Sequence, residues 1–370
     1  MSKTKSSSRF ENLDSIRTIA FFSTFLAHAF YTTSLDVKDS ATYENLMEFQ
    51  QIFNFGVPLF FVLSGFLITF LILKEQHGSK GFSLGNFYMR RILRIWPLYF
   101  LILLIGFYGF PLLKDILSQP GYIESASQPM YFSFLSNFDQ LNNIDLPTGV
   151  GLGPTWSVSI EEQFYLVWPI FLLIFRKKKF IFSIGLTIAI SMVFSIYFEL
   201  PSKHTIFCML YLAIGSLFGY FQYYYKEQIQ AKTKLLDKLF PFLILSMLGL
   251  ILLRLNNDNY LIANFIVLFF SIAMAMIILQ QAQASKFQLK KIPFLERTGK
   301  YTYGLYLYHV ICNFFLHIAL DDLLKMDETL MHIILIRPLL SLIISGIISY
   351  YSYHYFEFQF LKLKKSFSRH

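Results

Sequence analysis

Apolar residues along this chain are gathered into ten long runs, separated by short polar segments. A helix needs about 20 residues to cross about 30 Å of hydrocarbon, and most of the runs are near this length. The runs lack the period-two alternation of barrel strands, so helices are the predicted element. The predicted spans are roughly 15–34, 52–73, 95–113, 161–175, 180–198, 205–224, 239–253, 260–280, 301–320 and 331–356. We therefore predict an all-α polytopic transmembrane bundle of about ten helices, in which the short fourth and seventh spans borrow flanking residues.

Successive polar segments are alternately rich and poor in lysine and arginine. With the N-terminus inside, the cytoplasmic segments hold 25 of them and the outer side holds 6, including Arg337 near the outer end of the tenth span. This positive-inside bias predicts that both termini lie in the cytoplasm, as tails over about 1–14 and 357–370. We expect residues 1–370 to form a single transmembrane domain, since no repeat or low-complexity tract divides them. The longest outer segment, about 114–160, contains PTGVGLGPTW, whose glycines and prolines disfavour a regular helix. We expect this segment to re-enter the protein.

The composition agrees with a chain that is solvated mostly by lipid. Hydrophobic residues make up 55% and charged residues 15%, whereas soluble domains average about 25% charged. The net charge of +9 comes from short basic bursts between apolar runs, which indicates contact with membrane lipids and excludes a nucleic-acid stripe. Cys208 and Cys312 both fall inside apolar runs, so neither a disulfide framework nor a metal cluster is expected.

Two ionisable residues lie inside the first predicted span. Arg17 and His28 are 11 residues apart, which at 100° per residue puts them on one face of a continuous helix. One interpretation is that Arg17 extends to the headgroups and His28 only bonds a neighbouring helix. The other is that the deep imidazole accepts and returns a proton, the chemistry to which it is best suited near neutral pH.

A basic cluster stands at the start of the third span, in FYMRRILRIWPLYF. Arg91 and Arg94, at i and i+3, share a helical face. Their guanidinium groups could hold phosphates, or they could anchor the protein to anionic lipid. The sequence leaves both interpretations open.

Two adjacent carboxylates, Glu161 and Glu162, begin the fourth span on the predicted outer side. Either one of them enters a cavity in the bundle, or both stay at the interface in water. His309 lies within the ninth span, in GKYTYGLYLYHV, where a structural bond to a tyrosine hydroxyl is the ordinary expectation. Ser64 and Gly65 are small residues in a bulky helix, which permits close approach of a helix or of a thin ligand.

Five blocks of the sequence, taken in order, resemble the integral-membrane acyltransferase 3 family of O-acyltransferases, which modify bacterial surface saccharides, peptidoglycan, antibiotics and other exported molecules. The family pattern of Arg, ten residues and His on the first helix is met by Arg17 and His28. Its Arg-x-x-Arg pattern on the third helix is met by Arg91 and Arg94. The blocks, which run from residue 13 to 309, are LDSIRTIAFFSTFLAHAF, GVPLFFVLSGFLIT, FYMRRILRIWPLYF, PTWSVSIEEQFYLVWP and YTYGLYLYH.

The resemblance implies a ten-helix transferase that uses cytoplasmic acyl-CoA, usually acetyl-CoA, as co-substrate, without a permanently bound cofactor. We expect Arg91 and Arg94 to hold the CoA phosphates, with Arg17 and Ser64 along the path of the pantetheine arm. His28 is expected to act as general base on an acceptor hydroxyl, by direct transfer or through a covalent acyl-enzyme.

The remaining expectations concern the acceptor side and the surroundings of the base. Glu161 or Glu162 is expected to orient His28 or to bind sugar hydroxyls from the outer side. The residues expected to support the site are Asp14, His309 and Trp156. The acceptor is expected to be a saccharide or lipid-linked glycan at the plasma membrane, and the oligomeric state stays open, a homodimer included.

A transporter or flippase for lipid-linked saccharides is the alternative function. It would also place charges inside the bundle, but such proteins commonly show internal two-fold repeats, and none is found in this sequence.

Overall fold

The computed structural model of the chain describes residues 10–32, 34–116, 124–143, 151–175, 178–257, 259–283, 285–324, 326 and 329–367. Every regular element within these ranges is helical. The α-helices in chain order are α1 Glu11–Leu26, α2 Leu35–Lys38, α3 Ala41–Gln51, α4 Gly56–Gln76, α5 Leu84–Leu104, α6 Phe110–Ile116, α7 Gln128–Phe132, α8 Ser136–Asn142, α9 Thr155–Ile174, α10 Lys178–Tyr197, α11 Thr205–Tyr224, α12 Lys226–Ala231, α13 Thr233–Leu255, α14 Tyr260–Gln281, α15 Pro293–Thr298, α16 Thr302–His317, α17 Arg337–Tyr351 and α18 Phe358–Leu363.

Nine helical segments in the described part of the chain are long and apolar enough to cross a membrane. The prediction of an all-α polytopic bundle is therefore confirmed, and the protein is a multi-pass membrane protein. The first predicted span, over 15–34, is the one without such a segment among the described residues. It is represented by α1, which has 16 residues and ends at Leu26, well short of residue 34. The two short predicted spans do borrow flanking residues, since α9 has 20 residues and α13 has 23.

The outer surface of the bundle is apolar, as contact with lipid requires. Helix α13 buries none of its residues within the protein. Large side chains such as Phe242 and Leu245 are 67% and 64% exposed. In water such a surface would be a large apolar patch that promotes aggregation, whereas lipid tails solvate apolar side chains at no cost.

Helix α4 lies at the centre of the bundle, where it contacts α1, α9, α11 and α14. Glycines allow its closest approach, to α11. A Cβ atom built on Gly65 would lie 2.0 Å from the backbone oxygen of Leu212, and one on Gly215 would lie 2.0 Å from that of Val62. Small residues at such a crossing let two backbones touch, which is how helices in lipid gain packing energy. Of the neighbouring pair Ser64 and Gly65, Gly65 thus serves helix packing.

The C-terminal part of the chain continues as helix beyond the predicted span. Helix α17 is preceded by a π-helical segment, His332–Ile336, and followed by another, Ser352–Glu357. Helix α18 and the 3-10 turn Lys364–Phe367 then pack against α5. Much of the predicted tail over 357–370 is therefore ordered against the bundle. The predicted N-terminal tail falls mostly on residues 1–9, which lie outside the described ranges.

The predicted outer segment over 114–160 is described only in part. It contains the short helices α7 and α8 and the start of α9. Tyr131 and Leu152 are fully buried. The side-chain amide of Gln140 links the portion over 124–143 to the portion that begins at residue 151, since its Nε2 donates to the backbone oxygen of Leu152 at 3.2 Å.

Candidate active site

Two internal cavities contain nearly all of the polar side chains that the sequence singles out. The first, the arginine cavity, has a volume of about 560 Å³ and is lined by Arg17, Arg91 and Arg94. The second, the histidine cavity, has a volume of about 970 Å³ and is lined by His28 and His309.

The two cavities lie toward opposite ends of the bundle and meet inside it. Helix α1 contributes Arg17, from its first half, to the arginine cavity and Thr24, from its last turn, to the histidine cavity. The residues that line both cavities are Val57, Phe61 and Tyr306. These three side chains mark the place where the two cavities adjoin.

The arginines of the first and third predicted spans come together as expected. Arg17 forms an ion pair with Asp14 one turn earlier on α1. The guanidinium of Arg91 lies 5.1 Å from the ring centroid of Tyr165, a cation–π contact. Arg90 is excluded from the cavity, because it pairs with Glu75 at 2.7 Å. The three cavity arginines are thus held side by side, with Asp14 as a supporting residue.

The arginine cavity carries more positive than negative charge. Its lining includes five cationic side chains and three carboxylates. The cations beyond the arginines are Lys300 and Lys364, and the carboxylates are Asp14, Glu161 and Glu357. Sequence reasoning missed both lysines, because they belong to a connection and to a predicted tail. The position of Lys364 depends on how the C-terminal segment packs against α5.

Glu161 lies in the arginine cavity, not beside His28, so the expectation that it orients His28 is wrong. The predicted span began at residue 161, but α9 begins at Thr155, which puts Glu161 about 9 Å further along the helix. Its Oε1 accepts a hydrogen bond from Ser64 Oγ at 2.5 Å, and Ser64 accepts one from the hydroxyl of Tyr165 at 3.1 Å. Ser64 therefore faces the cavity that holds the arginines, as expected.

Glu162 is not among the residues that line the histidine cavity either, and it faces α5. Its Oε2 accepts a hydrogen bond from Trp96 Nε1 at 2.9 Å. Its Oε1 is buried without a hydrogen-bond partner among the described residues. Among the described residues Glu162 does not contact His28 as expected. Helix α9 begins at Thr155, six residues earlier than predicted, and directs the Glu162 side chain toward α5.

His28 lies two residues beyond the end of α1, so the expected helical stripe with Arg17 is wrong. The last turn tightens, because the backbone N–H of His28 donates to Phe25, three residues back, at 3.0 Å. The carbonyl of Thr24 is left free and bonds His28 Nδ1 at 2.7 Å. A carbonyl can only accept, so Nδ1 carries the hydrogen and Nε2 is the basic atom of the neutral ring. The ring is exposed to the histidine cavity.

His309 is a close titratable neighbour of His28. The two ring centroids are 5.6 Å apart. The expected bond to a tyrosine hydroxyl is wrong, since Nδ1 of His309 bonds the backbone oxygen of Tyr306 at 2.6 Å. Its Nε2 is buried and has no hydrogen-bond partner among the described residues. His309 thus borders the cavity beside the candidate base.

Lys203, which the sequence showed only as a lone outer charge, also lines the histidine cavity. Its Nζ lies 5.9 Å from the ring centroid of Trp156, a residue expected to support the site. The ammonium donates to Gln140 Oε1 at 3.1 Å. Partial burial lowers the pKa of Lys203. Trp156 is therefore a wall of the histidine cavity and the partner of a cation.

Tyr306 is the one residue with a polar side chain among the three at the junction of the cavities. Its hydroxyl lies 2.6 Å from Ser157 Oγ and donates to the backbone oxygen of Pro154 at 3.2 Å. No pattern in the sequence singles out Tyr306 from the other tyrosines of α16. Its importance follows only from its position between the cavities.

Comparison with known proteins agrees with the five sequence blocks. The peptidoglycan O-acetyltransferase OatA of Listeria monocytogenes is 34% identical over 153 residues, which are 37% of this chain and 24% of that protein. A Bacillus subtilis protein provisionally named a peptidoglycan O-acetyltransferase is 33% identical over 126 residues, 32% of this chain and 19% of that protein. An uncharacterised protein of Haemophilus influenzae is 35% identical over 141 residues, 35% of this chain and 55% of that protein.

In each case the aligned part of this chain spans about half of the relative's length or less. No solved structure matches the chain. The sequence profile of one family, described as the acyltransferase domain, matches residues 10–353. Because this match covers most of the sequence, the chain belongs to the acyltransferase domain family, as the resemblance of its five blocks implied.

Proposed function

We propose that this protein is an O-acetyltransferase of the plasma membrane that moves acetyl from acetyl-CoA to a hydroxyl of a saccharide or other exported acceptor. The observation that carries the proposal is the pair of cavities that meet at Val57, Phe61 and Tyr306. One cavity is suited to phosphates and the other contains a basic imidazole. The names of the relatives make peptidoglycan and other cell-envelope glycans the first acceptors to test.

The arginine cavity is the proposed site of acyl-CoA. Guanidinium groups match the geometry and charge of phosphates, and Arg17, Arg91 and Arg94 all line this cavity. In the orientation predicted from the basic segments, this cavity faces the cytoplasm, where acyl-CoA is made. The pantetheine arm would run past Ser64 toward Val57, so that the thioester reaches the junction with the histidine cavity.

His28 is the proposed general base. Its Nε2 takes the proton of the acceptor hydroxyl while the hydroxyl oxygen bonds to the thioester carbonyl carbon. The carbon–sulfur bond then breaks, and the proton passes from His28 to the departing CoA thiolate, which leaves as the thiol. The bond from Nδ1 to Thr24 supports this role, because it fixes the tautomer in which Nε2 accepts. The Tyr306 hydroxyl, at the junction, could stabilise the oxyanion by turning its hydrogen from the Pro154 oxygen to the substrate.

Glu161 and Glu162 are proposed to act on the donor side. Glu161, bonded to Ser64, places a carboxylate among the arginines and so limits their mutual repulsion. Glu162, bonded to Trp96, fixes α9 against α5. Both are therefore proposed as positioning residues for the donor cavity.

The test is transfer of radiolabelled acetyl from acetyl-CoA to isolated cell-envelope glycan by the purified, lipid-reconstituted protein. His28→Gln keeps a polar side chain but removes the proton acceptor, so we expect turnover to fall about 100-fold or more. His77→Gln is the matched control, since His77 Nδ1 also bonds the carbonyl four residues back, at 2.9 Å, yet lines neither cavity.

Near-native turnover of His28→Gln, or an equal loss in His77→Gln, would remove His28 as the base. Wild-type protein that consumes no acetyl-CoA with any envelope fraction would overturn the proposed activity itself. Release of free CoA together with a labelled glycan is the positive result.

A further inference from the structure

The histidine cavity contains positive charge without matching negative charge. Its lining includes Lys203 and Arg254, and none of its described lining residues is Asp or Glu. The arginine cavity differs, because three carboxylates share its wall with the cations. A concave, positively charged site with low-dielectric walls attracts anions. The cavity thus favours a negatively charged ligand over a neutral one.

Lys203 is held in place by bonds that leave its charge available. Its ammonium donates to Gln140 Oε1 at 3.1 Å, and Gln140 Nε2 is fixed by the backbone oxygens of Gly153 and Leu152 at 3.0 and 3.2 Å. An ammonium has three donors, of which this network uses one. Within the described ranges Lys203 has no carboxylate partner. A fixed cation with free donors is what an anion-binding site needs.

Groups suited to a sugar ring surround this cation. The Trp156 ring, with Lys203 Nζ 5.9 Å from its centroid, offers an apolar face to the C–H side of a pyranose. Gln51, Asn54 and Asn143 line the same cavity. Their amides can donate to and accept from sugar hydroxyls. The cavity therefore combines an aromatic platform, amides and a cation beside His28.

We infer that the acceptor is a saccharide that bears an anionic group, a carboxylate or a phosphate ester, and that Lys203 binds this group while an acceptor hydroxyl reaches His28. The inference rests on the proposed function, which makes the histidine cavity the acceptor site. Arg254, exposed at the end of α13, is a second cation in the lining of the same cavity.

Lys203 could instead serve only to brace Gln140, and the test must separate the two roles. A bracing lysine would affect folding, but it would not make the protein discriminate between charged and neutral sugars. The informative measurement is therefore the ratio of affinities for two sugars of the same shape, which a general loss of stability does not change.

The experiment measures binding to the purified full-length protein by isothermal titration calorimetry. The probes are the neutral methyl glucoside, the carboxylate methyl glucuronide and the phosphate ester glucose 1-phosphate. We expect at least one of the two anionic probes to bind about tenfold or more tightly than methyl glucoside. Whichever of them binds more tightly shows whether the site prefers a carboxylate or a phosphate ester. Lys203→Gln should abolish the preference and Lys203→Arg should retain it.

Lys226→Gln, at an exposed lysine that lines neither cavity, is the control and should keep the wild-type preference. Equal binding of all three probes, binding of none, or an unchanged preference in Lys203→Gln would overturn the inference. Consumption of acetyl-CoA is measured on the same preparations. A charge preference without acetyl transfer would count against the proposed function alone, and transfer without a charge preference would count against this inference alone.

Discussion

The rings of His28 and His309 stand 5.6 Å apart at the wall of the histidine cavity, and each has its Nδ1 bonded to a backbone carbonyl. Both neutral rings therefore have Nε2 as the basic atom. Two positive charges at this distance would repel each other, so the pair is suited to carry one proton at a time. When His28 takes a proton from the hydroxyl of the substrate, the neighbouring His309 ring would thus be neutral and able to accept a hydrogen bond through Nε2.

Replacing His309 should therefore slow catalysis without weakening donor binding. We expect His309→Gln to lower kcat about tenfold or more, because a neighbour that helps to accommodate the proton on His28 is lost. The KM for acetyl-CoA should stay near that of the wild type, since His309 does not line the arginine cavity. His317→Gln, on the same helix but outside both cavities, is the control. An unchanged kcat in His309→Gln would contradict the prediction.

The junction of the two cavities should select the size of the acyl group. Val57→Ala removes two methyl groups from a residue that lines both cavities. We expect the ratio of kcat/KM for butyryl-CoA to that for acetyl-CoA to rise about tenfold, the usual effect of a few methylenes in an apolar passage. Val193→Ala, at a side chain 61% exposed on the surface, should leave the ratio unchanged. A ratio that moves equally in both variants would show that the junction does not set acyl length.

The arginine cavity should determine affinity for the donor and not for the acceptor. Arg91→Gln is expected to raise the KM for acetyl-CoA about tenfold or more, because a charged hydrogen bond to phosphate is lost. The KM for the acceptor should change little. Arg297→Gln removes an exposed arginine that lines neither cavity, and it should leave both constants unchanged. Equal effects of Arg91→Gln on both substrates would place the donor elsewhere.

The crossing of α4 and α11 should tolerate no side chain at Gly215. A Cβ atom there would lie 2.0 Å from the backbone oxygen of Val62, so the helices must separate. We expect Gly215→Ala to destabilise the protein by about 1–3 kcal/mol, the usual range for overpacking. Thermal unfolding in detergent measures the change.

Gly249→Ala is the matched control for this substitution. It is also a helical glycine in an apolar helix, but a Cβ atom there meets nothing within 4 Å. The added methyl group should be neutral or slightly stabilising, because alanine favours the helix. A Gly215→Ala protein that unfolds at the wild-type temperature would show that the crossing can relax.

The sequence determined the class of this protein and most of its spans. Long apolar runs in lipid can satisfy their backbone groups only as helices or closed barrels, so a pattern of hydropathy was enough to predict the bundle. Arg17, Arg91 and Arg94 were predicted to serve one site, and they line one cavity. The resemblance to the acyltransferase 3 family, together with the position of the three arginines on the predicted inner side, carried that information.

Tertiary structure alone decided which polar residues share a cavity. A shift of six residues in the start of α9 moved Glu161 from the expected neighbourhood of His28 to that of the arginines. The tightened turn after Leu26 moved His28 away from the helical face of Arg17. Packing of helices distant in sequence brought His309 and Lys203 into the same cavity as His28. Hydropathy is a property of the local chain, whereas a cavity is formed by helices far apart in sequence, so no local pattern could predict its full set of side chains.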